Sequence, residues 1–228
     1  MLPTIFLTLL ITLFPDRTAL AFNQGPDIIR ECAKCNAMLT QHTTMSGNTF
    51  GARIWTDGKM VAPMLPFRPR LVKCPKCKNL IWINEAKEID EQYLSDKKCS
   101  NTVEPSLPSE IDFLTMLSAE KLDKDKEIYA RRQTWMAAND TVREKDGATI
   151  KFSEQQQKNL LTLANLMDEE NPDQRIAKAE IFRELGRFDE CLTLLEKPFA
   201  KEHLKEVAAF IRQLAVQKSP IVMEIKQR

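Results

Sequence analysis

Cys32-Ala33-Lys34-Cys35 and Cys74-Pro75-Lys76-Cys77 are two CxxC pairs in the N-terminal third of the chain, and no other feature of the sequence narrows the fold as much. A CxxC turn presents two thiolates to one tetrahedral ion, and two such turns close a four-cysteine site with no open coordination position. The spacing therefore predicts a structural Zn2+ site on Cys32, Cys35, Cys74 and Cys77, with each pair set near β segments. Lys34, Lys73, Lys76 and Lys78 lie close by in sequence and would offset the negative charge of a zinc centre with four thiolates. Two other readings of the same cysteines stay open. One is a pair of local disulfides, if the chain is exported. The other is a thioredoxin-like redox motif, which needs a helix N-terminus after the pair to depress a thiolate pKa, whereas a strand pattern follows Cys77.

The 228 residues, 43% of them hydrophobic, suit one medium domain or two small ones. With 33 Lys plus Arg against 32 Asp plus Glu, net charge gives no ground for bulk binding to nucleic acid or an anionic membrane. An aromatic content of 7% and a total of 6 glycines argue against a large aromatic-rich β core and against phosphate-cradling loops. The charge is unevenly spread: basic residues outnumber acidic ones over 23–80, and acidic residues prevail beyond. The pattern changes with it, from short β segments before about residue 84 to helices after about residue 108. The expected fold class is α+β, a small β-rich zinc ribbon followed by a helical bundle or repeat-like helical domain. The expected divisions are 1–22, a signal peptide or extension; 23–94, the zinc ribbon; 95–108, a linker rich in Ser, Asn, Thr and Pro; and 109–228, the helical domain.

Asp57-Gly58 between Thr49–Thr56 and Lys59–Ala62 is a hairpin turn signal, since Gly supplies positive φ without steric cost. Asn79–Ile83 follows as a short apolar strand. Ser109 can cap a helix with Ile111, Phe113, Leu114 and Leu117 on one face, and a second helix starts near Asp123. Ser153 with Gln156 forms a capping box ahead of Leu160, Leu161, Leu163, Ala164 and Met167. Asn171-Pro172 opens the next helix and Gly186 closes it. Phe188–Glu196 and Glu202–Gln217 complete six helices, whose short connections imply antiparallel neighbours.

Leu2 to Phe14 carries no charge and is too short to span a bilayer as a helix. Ala19-Leu20-Ala21 has the small-x-small form of a signal-peptidase site, with cleavage expected after Ala21, but no Lys or Arg precedes the apolar run. A cleaved leader would mean export. An upstream extension would leave the chain cytoplasmic, which the zinc-type cysteines favour. Either way the mature chain is expected to have no transmembrane anchor.

Cys99 falls in a polar loop and Cys191 on the apolar face of a helix pattern, so both read as free thiols, Cys191 serving as a small core residue. His42 and His203 are the only histidines and lie in different halves, each expected to be a solvated surface side chain. No Ser-His-Asp order, P-loop, paired-carboxylate motif or HExxH segment occurs, so an enzymatic group would have to come from scattered residues such as Asp57, Lys59 or His42.

Ser46-Gly47-Asn48-Thr49-Phe50-Gly51-Ala52, Trp55-Thr56-Asp57-Gly58-Lys59, Ala62-Pro63-Met64-Leu65-Pro66 and the second cysteine pair with Trp82 resemble an uncharacterised bacterial family with an N-terminal zinc ribbon and a helical C-terminal half. The resemblance covers roughly residues 30–85 and 155–215, and it implies fold and metal without an activity. In zinc knuckles Gly often follows the second Cys. Here Asn36, which tolerates a left-handed backbone, follows one pair and Lys78 the other, so the second knuckle is expected to be less regular. A second run, Phe182 to Leu195, is similar to the central hairpin of a tetratricopeptide repeat, with Gly186, Phe188 and Cys191 at its turn, aromatic and small positions. No repeating period accompanies it, and an ordinary helical hairpin is the alternative.

These observations favour a non-enzymatic, zinc-stabilised interaction protein whose helical half meets a protein partner. The second reading is nucleic-acid contact through Arg68, Arg70, Lys73, Lys76 and Lys78, with Phe67, Trp55 and Trp82 available for base stacking. An enzyme of unknown class is the third.

Overall fold

The computed structural model describes residues 22–89, 101–143, 145, 148 and 150–226; the expected leader and Cys99 lie outside them. The N-terminal part consists of short strands: β1 (Asn23–Gln24), β2 (Ile28–Glu31), β3 (Met38–Gln41), β4 (Thr44–Ser46), β5 (Arg53–Trp55), β6 (Met60–Val61), β7 (Leu71–Lys73), β8 (Leu80–Trp82) and β9 (Lys87–Ile89). Helices follow: α1 (Glu110–Ala119), α2 (Lys124–Asp140), α3 (Glu154–Leu166), α4 (Pro172–Glu184), α5 (Phe188–Leu194) and α6 (Glu202–Val216), with a last strand β10 (Glu224–Ile225). The class is α+β, with small antiparallel sheets ahead of six helices among the described residues.

The starts of the first four helices follow their capping chemistry. Ser109 and Asp112 form a capping box on α1, Asp123 accepts from the Lys126 amide on α2, Ser153 and Gln156 form the box on α3, and Asn171 caps α4 ahead of Pro172. Each cap satisfies amides that the first turn leaves without a helical partner. Gly186, at φ 75°, turns the chain from α4 into α5. On α1 the buried residues are Phe113 and Met116, while Ile111 is 74% exposed, so the inward stripe is displaced from the expected one. The α4–α5 hairpin forms, but α5 has 7 residues, about two turns, and gives a repeat architecture no support.

Two apolar clusters hold the helices. One joins α2, α3 and α4 through Trp135, Leu160, Leu163 and Ile181; the other joins α4, α5 and α6 through Ala179, Cys191, Leu204 and Ile211. Cys191 is fully buried there, and burial pushes its thiol up to about 12. We expect Cys191 to stay unmodified by a thiol reagent in native protein and to react once denaturant is added. Labelling without denaturant would refute its place between the helices.

A third cluster, Leu71 of β7 with Phe113, Met116 and Ala130, joins the strands to α1 and α2. The described part of the expected linker, 101–108, lies along the strands: Val103 exchanges backbone bonds with Met38 and Thr40, and Ser106 with Lys73. The C-terminal tail also returns to the β part, where β10 pairs with β5 and the Thr56 amide donates to Met223 O at 2.9 Å. Beneath this join lies a buried polar network. Arg143 grips Asp57 from Nη1 at 3.1 Å and Nη2 at 2.7 Å, and Asn139 Nδ2 donates to Asp57 at 3.1 Å and to both oxygens of Glu184. Trp135 Nε1 donates to Glu184 at 2.7 Å, yet burial, reinforced by Glu180 and Asp57, holds the Glu184 carboxyl well above the usual range. Arg183 pairs with Glu180 and donates to the carbonyls of Ser219 and Ile221, fastening the tail to α4.

Candidate metal centre

The two knuckles have the same construction. In each, the chain leaves a strand, turns through the CxxC pair and returns as the antiparallel partner. Cys32 N donates to Ala37 O at 2.9 Å and Asn36 N to Cys32 O at 2.8 Å; Cys74 N donates to Asn79 O and Lys78 N to Cys74 O, both at 2.9 Å. The strand registers match too: Glu31 faces Met38 and Arg30 faces Leu39, as Lys73 faces Leu80 and Val72 faces Ile81. Asn36 and Lys78 both take the left-handed backbone the turn requires, at φ 55° and 63°. The second knuckle is therefore as regular as the first. A non-glycine residue pays a steric cost in that region, and the surrounding turn bonds hold Lys78 there.

The hairpins bring the four cysteines together, with every sulfur within 4.8 Å of the others. Cys32 Sγ lies 3.7 Å from Cys77 Sγ, and Cys35 Sγ 3.7 Å from Cys74 Sγ. Each close pair thus takes one cysteine from each knuckle, as exchange of the two hairpins by a twofold rotation would require. A thiolate–zinc bond of about 2.3 Å implies tetrahedral edges of roughly 3.8 Å, and the observed separations fit that figure. Cys32 and Cys74 are buried, Cys77 is half-buried and Cys35 is exposed, so one edge of the sulfur tetrahedron faces the hairpin core and the other faces solvent. The Asn79 side chain and amide hold Cys77 down at about 6. The Ala37 amide favours a Cys35 thiolate, but desolvation and the other three sulfurs together push Cys35 up to about 12.

The lysines expected around the centre are divided. Lys73 Nζ is bonded to Asp112 of α1 at 2.7 and 3.0 Å, whereas Lys76 and Lys78 are exposed on the second knuckle. In the rest of the basic cluster, Arg68 Nε donates to Thr44 Oγ1 at 3.1 Å, and the Arg70 guanidinium lies over the rings of Trp82 and Tyr129. Trp82 also carries Lys126 at 5.4 Å and a tilted contact with Tyr129. Trp55 is 2% exposed, with Arg53 and Arg143 over its ring. Phe67 is exposed.

His203 is exposed, but His42 is not simply solvated: Nδ1 is 2.7 Å from Asp27 and Nε2 3.1 Å from Glu104, and the Asp27 hydrogen bond is the main cause raising its pKa. Asp57 and Lys59 face different partners, the buried network and Asp140. The buried charges Arg143, Glu180, Arg183 and Glu184 had no signal in the sequence: Arg143 lies in the turn after α2, and the other three are polar positions on α4. No helix among the described residues is long and apolar enough to cross a membrane.

No family model, no curated protein and no solved structure matches the chain.

Proposed function

We propose that Cys32, Cys35, Cys74 and Cys77 hold one structural Zn2+ that folds the two knuckle hairpins into a platform, and that the chain acts as a non-enzymatic module for binding a protein partner. The observation that carries the metal reading is the tetrahedral sulfur cluster itself. Four thiolates from two like turns leave a bound ion no open position for substrate or water, which suits a fold staple and not a catalytic metal. The hairpins are short and their own core is small, so the metal supplies what apolar burial there does not. The platform is fastened to α1 and α2 by Leu71 and by the Lys73–Asp112 pair, so an ordered metal site also sets the surface those helices present.

Metal stripping tests this reading. After incubation with a chelator under reducing conditions, amide exchange over 28–41 and 71–82 should rise sharply and return to its starting level when zinc is restored. Exchange unchanged by stripping, with the metal shown to be gone, would refute the staple.

A further inference from the structure

A groove of about 710 Å³ runs between the segment 58–69 and helices α1 and α2. Its lining is mostly apolar, with Leu65 and Phe67 on one side and Phe113, Tyr129 and Met136 on the other. Met60, Val61, Phe67 and Leu107, all in this lining, are among the large hydrophobic side chains that the described chain leaves exposed.

Three polar features lie in that apolar setting. First, β6 is the edge of the sheet β10–β5–β6. Trp55 N donates to Lys59 O, so in the antiparallel alternation Ile54 and Met60 form the non-bonded pair, and the Met60 N–H and C=O point away from β5. Second, Gln133 is one of the lining residues, and its carboxamide makes no hydrogen bond to a described residue. Third, the charges in the lining do not cancel. Lys59 and Asp140 bind one another, while Arg68 has no carboxylate within ion-pairing distance among the described residues. Arg68, Pro69 and Leu107 also line a neighbouring cavity of about 200 Å³, which places Arg68 where the groove ends against it.

We propose that this groove binds the C-terminal end of an extended apolar peptide, with its main chain paired to Met60, its backbone amide bonded by Gln133 and its terminal carboxylate held by Arg68. A strand edge offers main-chain bonds, and alternate apolar side chains of an added strand fill pockets beside it. Arg68 bonds Thr44 Oγ1 and Thr43 O and feels Asp27 only at longer range, so a carboxylate on the occupant would give it the direct ion pair it lacks among the described residues. A hydrocarbon chain with an acid head would match Arg68 but leave Met60 and Gln133 facing nothing. A peptide satisfies all three. This deepens the reading of the chain as a protein-binding module and is independent of which metal the cysteines hold.

The test is selection from a library of random octapeptides displayed with free C-termini, against full-length protein of measured metal content, followed by fluorescence anisotropy on synthetic hits. Hits should be apolar at alternate positions. Amidating their C-terminus should weaken binding to wild-type protein by tenfold or more, and Arg68→Gln and Gln133→Ala should each do the same. Phe50→Ala, an exposed aromatic outside the lining, should bind as wild type. The amide comparison needs no variant, so it holds even if Arg68→Gln folds poorly. Hits that bind equally as amides and ignore both groove variants would overturn this site while leaving a binding module with another surface. No hits on metal-replete protein, or displacement by palmitate with no peptide binding, would overturn the peptide site and leave the metal staple standing.

Discussion

Replacing Cys74 by Ser is expected to abolish metal binding and unfold both knuckle hairpins. Cys74 is buried and lies 3.7 Å from Cys35, so its loss opens the sulfur set on the side facing the hairpin core. That core consists of Cys32, Ala37, Leu39, Val72, Cys74, Ile81 and Ile83, and two of its members, Cys32 and Cys74, belong to the four-sulfur cluster that we propose holds the metal. Structural zinc contributes roughly 10–16 kcal/mol in small zinc-folded peptides, against about 5–15 kcal/mol for the whole stability of an ordinary domain. The variant should therefore lose amide protection over 28–41 and 71–82. Protection in α1 should fall with it, because Phe113 and Met116 pack on Leu71 and Asp112 is bonded to Lys73. Helices α4 to α6 should keep their protection and their circular dichroism, since the core they share contains no strand residue. Full protection of the hairpins in the variant would contradict this expectation.

Arg183→Met should destabilise the protein by about 3–5 kcal/mol, because it leaves the fully buried Glu180 carboxylate without its counter-charge. For a chain of this size that is a fall in Tm on the order of 10 °C. The effect should reach beyond α4. Arg183 also donates to Ser219 O and to Ile221 O, the latter at 2.9 Å, and so holds the tail whose Glu224 and Ile225 pair with β5. Exchange at Thr56, whose amide donates to Met223 O, should rise in the variant. The double variant Glu180→Leu/Arg183→Met removes both charges and should regain much of the lost stability. Equal Tm values for the single variant and wild type would show that the pair is not buried as the structure has it.

The parts of the fold legible in the sequence are those set by local chemistry. Ser109, Asp123, Ser153 and Asn171 sit where the side-chain oxygen of a cap must sit, and Gly58 and Gly186 take the positive φ that their turns demand. The cysteine spacing reveals the cluster because a CxxC turn is itself a local structure. Long-range order left no such trace. Nothing near Asp57 in sequence marks it as more than a hairpin turn, yet Arg143, far along the chain, makes it a buried ion-pair partner. In the same way β10 is two residues long and carries no strand signal of its own; its place comes from the free edge of β5 and from the grip of Arg183 on the preceding tail. Trp55 and Trp82 look alike as aromatic residues near basic ones, and only the fold shows that guanidinium and ammonium groups already cover their rings. The left-handed Lys78 shows the reverse, a residue of poor local propensity held in a regular turn by the bonds around it.

That four reduced cysteines hold one zinc ion can be tested on a single preparation. Intact-mass analysis of the protein purified from its native cell, under native and then denaturing conditions, reports metal and disulfides on the same molecules. The native mass should exceed the denatured one by a single zinc less the protons displaced from the thiols, and the denatured mass should equal that of the fully reduced chain. A native mass without metal, or a denatured mass short of the hydrogens of two disulfides, would contradict it.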